Sequence, residues 1–148
     1  MTVRRRSRTK KGATEERSII IASNRLPFTY SREAGVLKRK PSPGGLVSAL
    51  EPVLQKRGGT WIGWPGITLH PGERISSRAG SYRVEPVKLA QTEVKHYYHG
   101  FSNGTLWPLF HSLPVLTRFE RKDWTGYETV NQLFAEAVRK QLRKAELV

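Results

Sequence analysis

The chain of 148 residues carries 26 Lys and Arg against 12 Asp and Glu, a formal net charge of +14, and contains no Cys. This length fits one domain, and the lack of Cys excludes disulfides, thiolate metal sites and a cysteine nucleophile. The longest aliphatic run is too short for a membrane span, and the basic beginning lacks the apolar core of a secretory signal. We therefore expect a soluble, cytoplasmic protein without a membrane partner.

The first seventeen residues differ in character from the rest of the chain. Basic side chains dominate residues 1–17, and Val3 is the one strongly apolar residue after Met1. Such a segment cannot bury enough apolar surface to offset the entropy lost on ordering, so a basic disordered tail is predicted. A solvated tail without a partner is the simplest interpretation, and nucleic-acid binding or a targeting role are the alternatives. The folded domain is expected to span residues 18–148.

The domain is predicted to open with a buried strand, a loop and a helix. The β-branched run at residues 18–22 is typical of a buried parallel strand, and a polar loop is expected from there to Pro43. After Leu46, apolar residues recur three and four positions apart, which indicates an amphipathic helix. Pro52 inside this pattern predicts a kink or an early end, and the glycine pair at 58–59 predicts the stop.

Two further strands and two helices follow. Residues 60–64 and 81–89 have strand-like patterns, residues 91–99 are expected to form a short helix, and Asp123 is predicted to cap a long helix. The apolar face of that long helix would consist of Tyr127, Val130, Phe134, Ala137 and Leu142. This order indicates an α/β domain with a mostly parallel sheet and flanking helices. Because the next strand would come after Val148, the domain is expected to be incomplete.

An anion site is predicted near the carboxyl end of the first strand. Arg25 follows that strand, at the position where open α/β sheets bind ligands. Gly44 and Gly45 open the first helix, where free N–H groups and the helix dipole attract anions. Together these groups would hold a phosphate from two sides, and an ordinary loop-to-helix turn is the alternative for the glycine pair.

Aromatic residues gather in two short segments. They are Trp61, Trp64, Tyr97, Tyr98, Phe101, Trp107 and Phe110. Indole faces pack on the C–H faces of sugars, and a tyrosine hydroxyl bonds phosphate or sugar oxygens, so a sugar-phosphate site is one interpretation of these residues. Packing in the core is the other.

The titratable residues do not form a recognisable metal site or hydrolase active site. The four histidines are His70, His96, His99 and His111. They lack partners at metal-ligand spacing, so they are expected to be solvated or hydrogen-bonded. Neither a carboxylate pair nor a Ser/His/Asp arrangement is evident, so a self-contained hydrolase is not expected.

Five short motifs occur in order along the chain. They are Ser23-Asn24-Arg25-Leu26-Pro27, Pro43-Gly44-Gly45-Leu46, Trp61-Ile62-Gly63-Trp64-Pro65-Gly66, Tyr97-Tyr98-His99-Gly100-Phe101-Ser102-Asn103 and Leu106-Trp107-Pro108-Leu109-Phe110-His111. With this order and spacing, residues 18–144 resemble the opening of the trehalose-6-phosphate synthases, glycosyltransferase family 20. Any one motif is weak evidence, and the ordered set is strong.

The resemblance implies a fold and an activity. The fold would be the first part of the N-terminal, Rossmann-like domain of a GT-B glycosyltransferase, which is mainly the acceptor side. Members of the family transfer glucose from UDP-glucose to glucose 6-phosphate with retention, and they make α,α-trehalose 6-phosphate and UDP. The two sugar compounds are thus the expected small-molecule partners, and no cofactor or metal is required.

The resemblance also implies residue roles. Arg25 and Tyr98 would bind the phosphate of glucose 6-phosphate. Trp64 and Trp107 would line the acceptor pocket, and Gly44-Gly45 would lie against the diphosphate and sugar of UDP-glucose. No catalytic residue of the family is expected in this chain.

Several family features have no counterpart in this sequence. They are a His-Asp-Tyr-His segment, the Arg and Lys that neutralise the leaving diphosphate, and the donor-binding C-terminal domain. Because stabilising that charge is the main task of such a transfer, the chain alone is expected to be inactive. A homo-oligomer or pairing with a C-terminal part is left open.

Three alternatives remain at this point. The first is a related sugar-phosphate glycosyltransferase, such as a glucosylglycerol-phosphate synthase, which uses a different acceptor. The second is a non-catalytic partner of a full-length synthase. The third is a basic nucleic-acid-binding module, although nucleic acid is not the expected partner under the main interpretation.

Overall fold

The computed structural model of the chain describes residues 19–42 and 44–146. The predicted disordered tail at residues 1–17 lies outside the described residues. Six strands occur in the described part: β1 (Ile20–Arg25), β2 (Phe28–Glu33), β3 (Val36–Pro41), β4 (Thr60–Trp64), β5 (Arg78–Ala79) and β6 (Tyr82–Pro86). Its α-helices are α1 (Gly45–Arg57), α2 (Gln91–Val94), α3 (Trp107–Phe110) and α4 (Arg121–Glu146). A π-helix at Lys95–Leu106 joins α2 to α3, and a 3₁₀ turn occupies Pro114–Leu116.

The main sheet has the strand order β1-β4-β6-β5. Strands β1, β4 and β6 are parallel, and the short β5 pairs antiparallel with β6. The predicted α/β class with a mostly parallel sheet is therefore confirmed. The middle strand β4 is buried along its whole length, as its position between two parallel neighbours requires.

Two apolar clusters cover the two faces of this sheet. One contains Trp61 with Leu54 of α1, and the other contains Ile62 and Trp64 with Val130 of α4. Successive side chains of a strand point to opposite faces, which explains why Trp61 and Ile62 belong to different clusters. Helix α1 thus packs on one face and α4 on the other.

The segment predicted as a polar loop up to Pro43 is largely an antiparallel hairpin, β2–β3, paired from Phe28↔Pro41 to Glu33↔Val36. Ala34 and Gly35, with φ of 50° and 79°, form its two-residue turn, and this left-handed geometry matches the twist of the strands. The consecutive basic residues 38–40 of β3 interrupt the alternation of apolar and polar residues that is typical of a strand. Lys38 and Lys40 lie 2.7 and 2.9 Å from the Glu33 carboxylate, and their hydrogen bonds lower its pKa to about 2.

Helix α1 continues through Pro52 to Arg57, so the predicted early end is wrong. Proline removes only one backbone hydrogen bond, and the burial of Leu54 beyond it offsets that loss. The predicted stop is confirmed, since Gly58 and Gly59 have φ of 72° and 131°, which favour glycine.

Helix α4 starts at Arg121, so Asp123 lies inside its first turn rather than capping it. The buried face of α4 continues at Gln141, which is polar but only 4% exposed, whereas Leu142 is 51% exposed. The helical repeat places position 141, not 142, under Ala137, which corrects the predicted face at its end. The Gln141 amide donates to Glu85 Oε2 of β6 at 3.0 Å and so keeps its polar group paired.

Candidate functional site

The site is built where β1 and β4 end. The predicted first strand extends further than residues 18–22 and includes Arg25, whose backbone is in register with Trp64, the last residue of β4. A register irregularity between Ala22 and Arg25 turns the end of β1. Parallel strands finish at the same edge of a sheet, so the two side chains meet there.

A small hydroxyl network fixes the backbone around Arg25. The Ser23 hydroxyl donates to the Arg25 carbonyl at 2.7 Å and accepts the Trp61 indole N–H at 2.8 Å. The Leu26 N–H donates to the Trp64 carbonyl at 3.0 Å and continues the strand pairing past Arg25. These bonds therefore hold the backbone of the Ser-Asn-Arg-Leu motif at the end of β1.

Gly63 allows the two strands to approach this closely. A Cβ at this position would lie 2.7 Å from both the Arg25 carbonyl carbon and the Leu26 nitrogen. Any side chain would push the end of β1 away from β4. The glycine of the Trp-Ile-Gly-Trp motif is thus required by packing at the site.

The Arg25 guanidinium lies between two aromatic rings. Its central carbon is 5.0 Å from the Trp64 ring centre and 5.6 Å from the Tyr98 ring centre. Both distances fit cation–π attraction, which holds the guanidinium in place without neutralising its charge. Arg25 and Tyr98 are partly exposed, whereas Trp64 is buried, so the charge remains open to a ligand.

Tyr98 comes from the π-helix, which packs against α4. The neighbouring Tyr97 stacks on Tyr127 of α4, with ring centres 5.8 Å apart, and burial raises the pKa of Tyr97 above its ordinary value. A π-helix is rare and frequently marks a functional position. The predicted short helix at 91–99 is longer than expected, because helical backbone continues to Phe110.

Two buried polar atoms beside the arginine have no hydrogen-bond partner among the described residues. They are Asn24 Oδ1, on the adjacent residue, and Trp64 Nε1, in the ring that Arg25 covers. Most buried polar atoms in folded proteins are paired. Two more such atoms, Thr60 Oγ1 and Thr117 Oγ1, lie elsewhere, so unpaired atoms alone do not mark the site.

A cleft of about 810 Å³ opens beside Trp64. Lys95 and His99 of the π-helix and Arg32 of β2 also line it, and no motif in the sequence indicates their presence there. Arg32 makes a two-pronged contact with Glu73, 2.8 Å at its shortest, and this contact lowers the pKa of Glu73. Glu73 thus neutralises the charge of Arg32, and Arg25 and Tyr98 are not among the residues that line this cleft.

The remaining predicted residues lie at different places. Trp107 is 51% exposed and stacks on His111, with ring centres 4.1 Å apart, and among the described residues it has no ring contact with Trp64 or Tyr98. Gly44 immediately precedes α1 and Gly45 is its first residue. A Cβ at either glycine would meet no atom of the described residues within 4 Å.

Residues 19–42 and 44–146 contain neither a metal-ligating cluster nor a membrane-spanning helix. No three His, Cys, Asp or Glu side chains converge there in a way that would hold a metal ion. No helix there is both long enough and apolar enough to cross a membrane.

Comparison with known families gives one match that extends over nearly the whole chain. The profile of glycosyltransferase family 20 matches residues 17–148. Among curated proteins, the trehalose-6-phosphate synthase of Mycolicibacterium smegmatis is 46% identical over 119 residues, and that of Mycobacterium tuberculosis is 44% identical over 128 residues. The match covers 80% of this chain but 23% and 25% of those relatives, so the chain spans about a quarter of their length.

Solved structures show the same relationship. A UDP-forming α,α-trehalose-phosphate synthase from Burkholderia xenovorans, in complex with glucose 6-phosphate, superposes with a TM-score of 0.66 at 32% identity. The match covers 83% of this chain and 25% of that one. An E. coli structure bound with UDP-2-fluoro glucose gives a TM-score of 0.64 at 30% identity, covering 82% and 24% of the two chains.

Proposed function

The chain belongs to glycosyltransferase family 20, and on that basis we propose that it forms the acceptor-side part of a UDP-forming trehalose-phosphate synthase. The observation that carries this proposal is the stacking of Arg25 between Trp64 and Tyr98 at the carboxyl edge of the sheet. The acceptor would be glucose 6-phosphate and the glucosyl donor UDP-glucose. The role proposed for these residues is ligand binding.

Arg25 and Tyr98 are proposed to bind the acceptor phosphate. A guanidinium held by two rings is pre-organised, so little conformational freedom is lost when its donors meet phosphate oxygens. The Tyr98 hydroxyl would add one donor. Trp64 would pack against the hexose, and the half-exposed Trp107 would close the pocket from the segment that follows the π-helix.

Gly44 and Gly45 are proposed to lie against the diphosphate and sugar of UDP-glucose. The described residues give no steric reason for glycine at either position. A ligand that approaches the backbone would supply that reason, because a side chain would occupy its place. Helix α1 follows without a side-chain cap, so its first N–H groups remain available to an anion.

Thermal unfolding with added ligands tests the acceptor assignment. Glucose 6-phosphate should raise the unfolding midpoint of the 148-residue chain in a concentration-dependent way, and glucose should raise it far less. Arg25→Ala should remove the effect. Arg83→Ala is the matched control, because it removes an exposed arginine near the amino end of β6, where Arg83 is the register partner of Thr60 in β4.

The alternatives give different outcomes in the same assay. Stronger protection by glycerol 3-phosphate than by glucose 6-phosphate would indicate the related acceptor class. Protection by an oligonucleotide that is lost at higher salt and is unaffected by Arg25→Ala would indicate nucleic-acid binding. Equal protection of the wild type and Arg25→Ala by glucose 6-phosphate would contradict the proposal.

A further inference from the structure

A polar contact joins the π-helix to α4, in addition to the stacking of Tyr97 on Tyr127. His96 Nδ1 lies 2.7 Å from Asp123 Oδ1, and the two side chains are 28% and 15% exposed. A carboxylate only accepts, so the Nδ1–H of His96 is the donor. Asp123 is the single aspartate in the chain, and it lies in the first turn of α4 with its carboxylate bonded to His96.

Two glycines make room for this contact. A Cβ at Gly100 would lie 2.6 Å from both carboxylate oxygens of Asp123. A Cβ at Gly126 would lie 2.5 Å from the His96 Cβ. The π-helix and α4 thus each carry a glycine opposite the bonding residue of the other, and these glycines let the two elements approach closely enough for the hydrogen bond.

His96 lies two positions before Tyr98, one of the two aromatic residues beside Arg25. His96 and Tyr97 both face α4, through the bond to Asp123 and the stacking on Tyr127 respectively. Successive helical residues are rotated by about 100°, so two neighbours can face the same element while the next residue turns off it. With positions 96 and 97 held against α4, Tyr98 is turned to the end of β1, where its ring lies 5.6 Å from the Arg25 guanidinium.

We propose that His96 and Asp123 are positioning residues that fix the π-helix so that Tyr98 faces Arg25 in the acceptor site. Ring stacking alone allows sliding, whereas a short hydrogen bond with a carboxylate acceptor fixes direction and distance. The assignment of a ligand to Arg25 and Tyr98 rests on the proposed function. The mutual placement of the two side chains does not.

The test therefore has one readout without ligand and one with glucose 6-phosphate. Ring currents from Trp64 and Tyr98 should shift the side-chain protons of Arg25 upfield in the NMR spectrum of the full chain. Asp123→Ala should reduce this shift, and Asp123→Asn should keep most of it because the amide oxygen still accepts from Nδ1. Glu128→Ala, which removes an exposed carboxylate from the same helix, is the control and should leave the shift unchanged.

With ligand, Asp123→Ala should weaken binding of glucose 6-phosphate by roughly threefold to tenfold, with Asp123→Asn again close to the wild type. An Arg25 shift that is unchanged in Asp123→Ala, or that falls equally in Glu128→Ala, would overturn the proposal. If Asp123→Ala fails to unfold cooperatively, His96→Ala replaces it. Loss of the whole fold in both variants would also overturn it, since the bond would then be structural only.

The two readouts separate the two proposals. A wild-type chain that binds no glucose 6-phosphate would contradict the proposed function, and the ligand-free shift of Arg25 would still decide the role of His96 and Asp123. Normal binding by the wild type with an unchanged shift in Asp123→Ala would contradict the positioning role alone.

Discussion

The guanidinium of Arg25 lies 5.0 Å from the ring centre of Trp64, and the two residues are register partners at the ends of parallel strands. Arginine stacks on a ring and forms a planar fork to phosphate, whereas lysine does neither. Arg25→Lys should therefore keep the charge and still bind glucose 6-phosphate about tenfold more weakly. Isothermal titration calorimetry measures this change, and Arg83→Lys should bind as the wild type does.

Gly63 should be intolerant of any side chain. Gly63→Ala places a methyl group against the backbone of Arg25 and Leu26, which should lower the free energy of unfolding by about 1–3 kcal/mol or more. Gly45→Ala is the control, because it meets no described atom and should be neutral or slightly stabilising. Urea unfolding of the three proteins measures both effects. Equal stabilities would contradict the close approach of β1 and β4.

Gly100 and Gly104 form a second matched pair, four residues apart on the π-helix. Gly100→Ala would displace the Asp123 carboxylate and should destabilise the chain by about 1–3 kcal/mol. A Cβ at Gly104 would make an ordinary contact of 3.6 Å with the His99 carbonyl oxygen, so Gly104→Ala should cost little. Thermal unfolding midpoints compare the two variants, and the reverse order would show that the π-helix packs differently.

Glu73 should contribute to stability against acid. Its bond to Arg32 lowers its folded-state pKa below the ordinary value of 4.5, so the contribution is present above about pH 4.5 and is lost as the pH falls further through the folded-state pKa. Glu73→Gln should therefore lower the free energy of unfolding at neutral pH. Below pH 4.5, this free energy should fall less steeply with decreasing pH than it does in the wild type. Glu128→Gln should leave the acid limb of the curve as in the wild type. Superimposable curves for Glu73→Gln and the wild type would exclude the Arg32 contact.

The parts of the fold that the sequence predicts well are those with local chemical signals. The sequence predicts strand β4 with the observed bounds because the run 60–64 has a strand-like pattern and ends at a proline and a glycine. Arg25 was expected near the sheet edge because parallel strands leave their carboxyl ends there. The roles toward ligands all stay predictions, for Arg25, Trp64, Tyr98 and Trp107 as for Gly44 and Gly45.

The parts that escaped prediction depend on partners far along the chain. The hairpin β2–β3 is paired by a basic strand whose lysines are compensated by Glu33, and a polar pattern of this kind also fits a loop. The bond between His96 and Asp123 spans 27 residues and requires glycines on both helices. Neither residue shows this partnership by local spacing.

The central claim is that Arg25 binds the phosphate of an acceptor sugar, and the NMR signal of its Nε–H group measures this most directly. Arg25→Lys identifies the signal by its disappearance. As glucose 6-phosphate is added to the full chain, this signal should shift and saturate, whereas glucose should leave it in place. A stationary Arg25 signal, with shifts confined to the arginines of residues 1–17, would contradict the account.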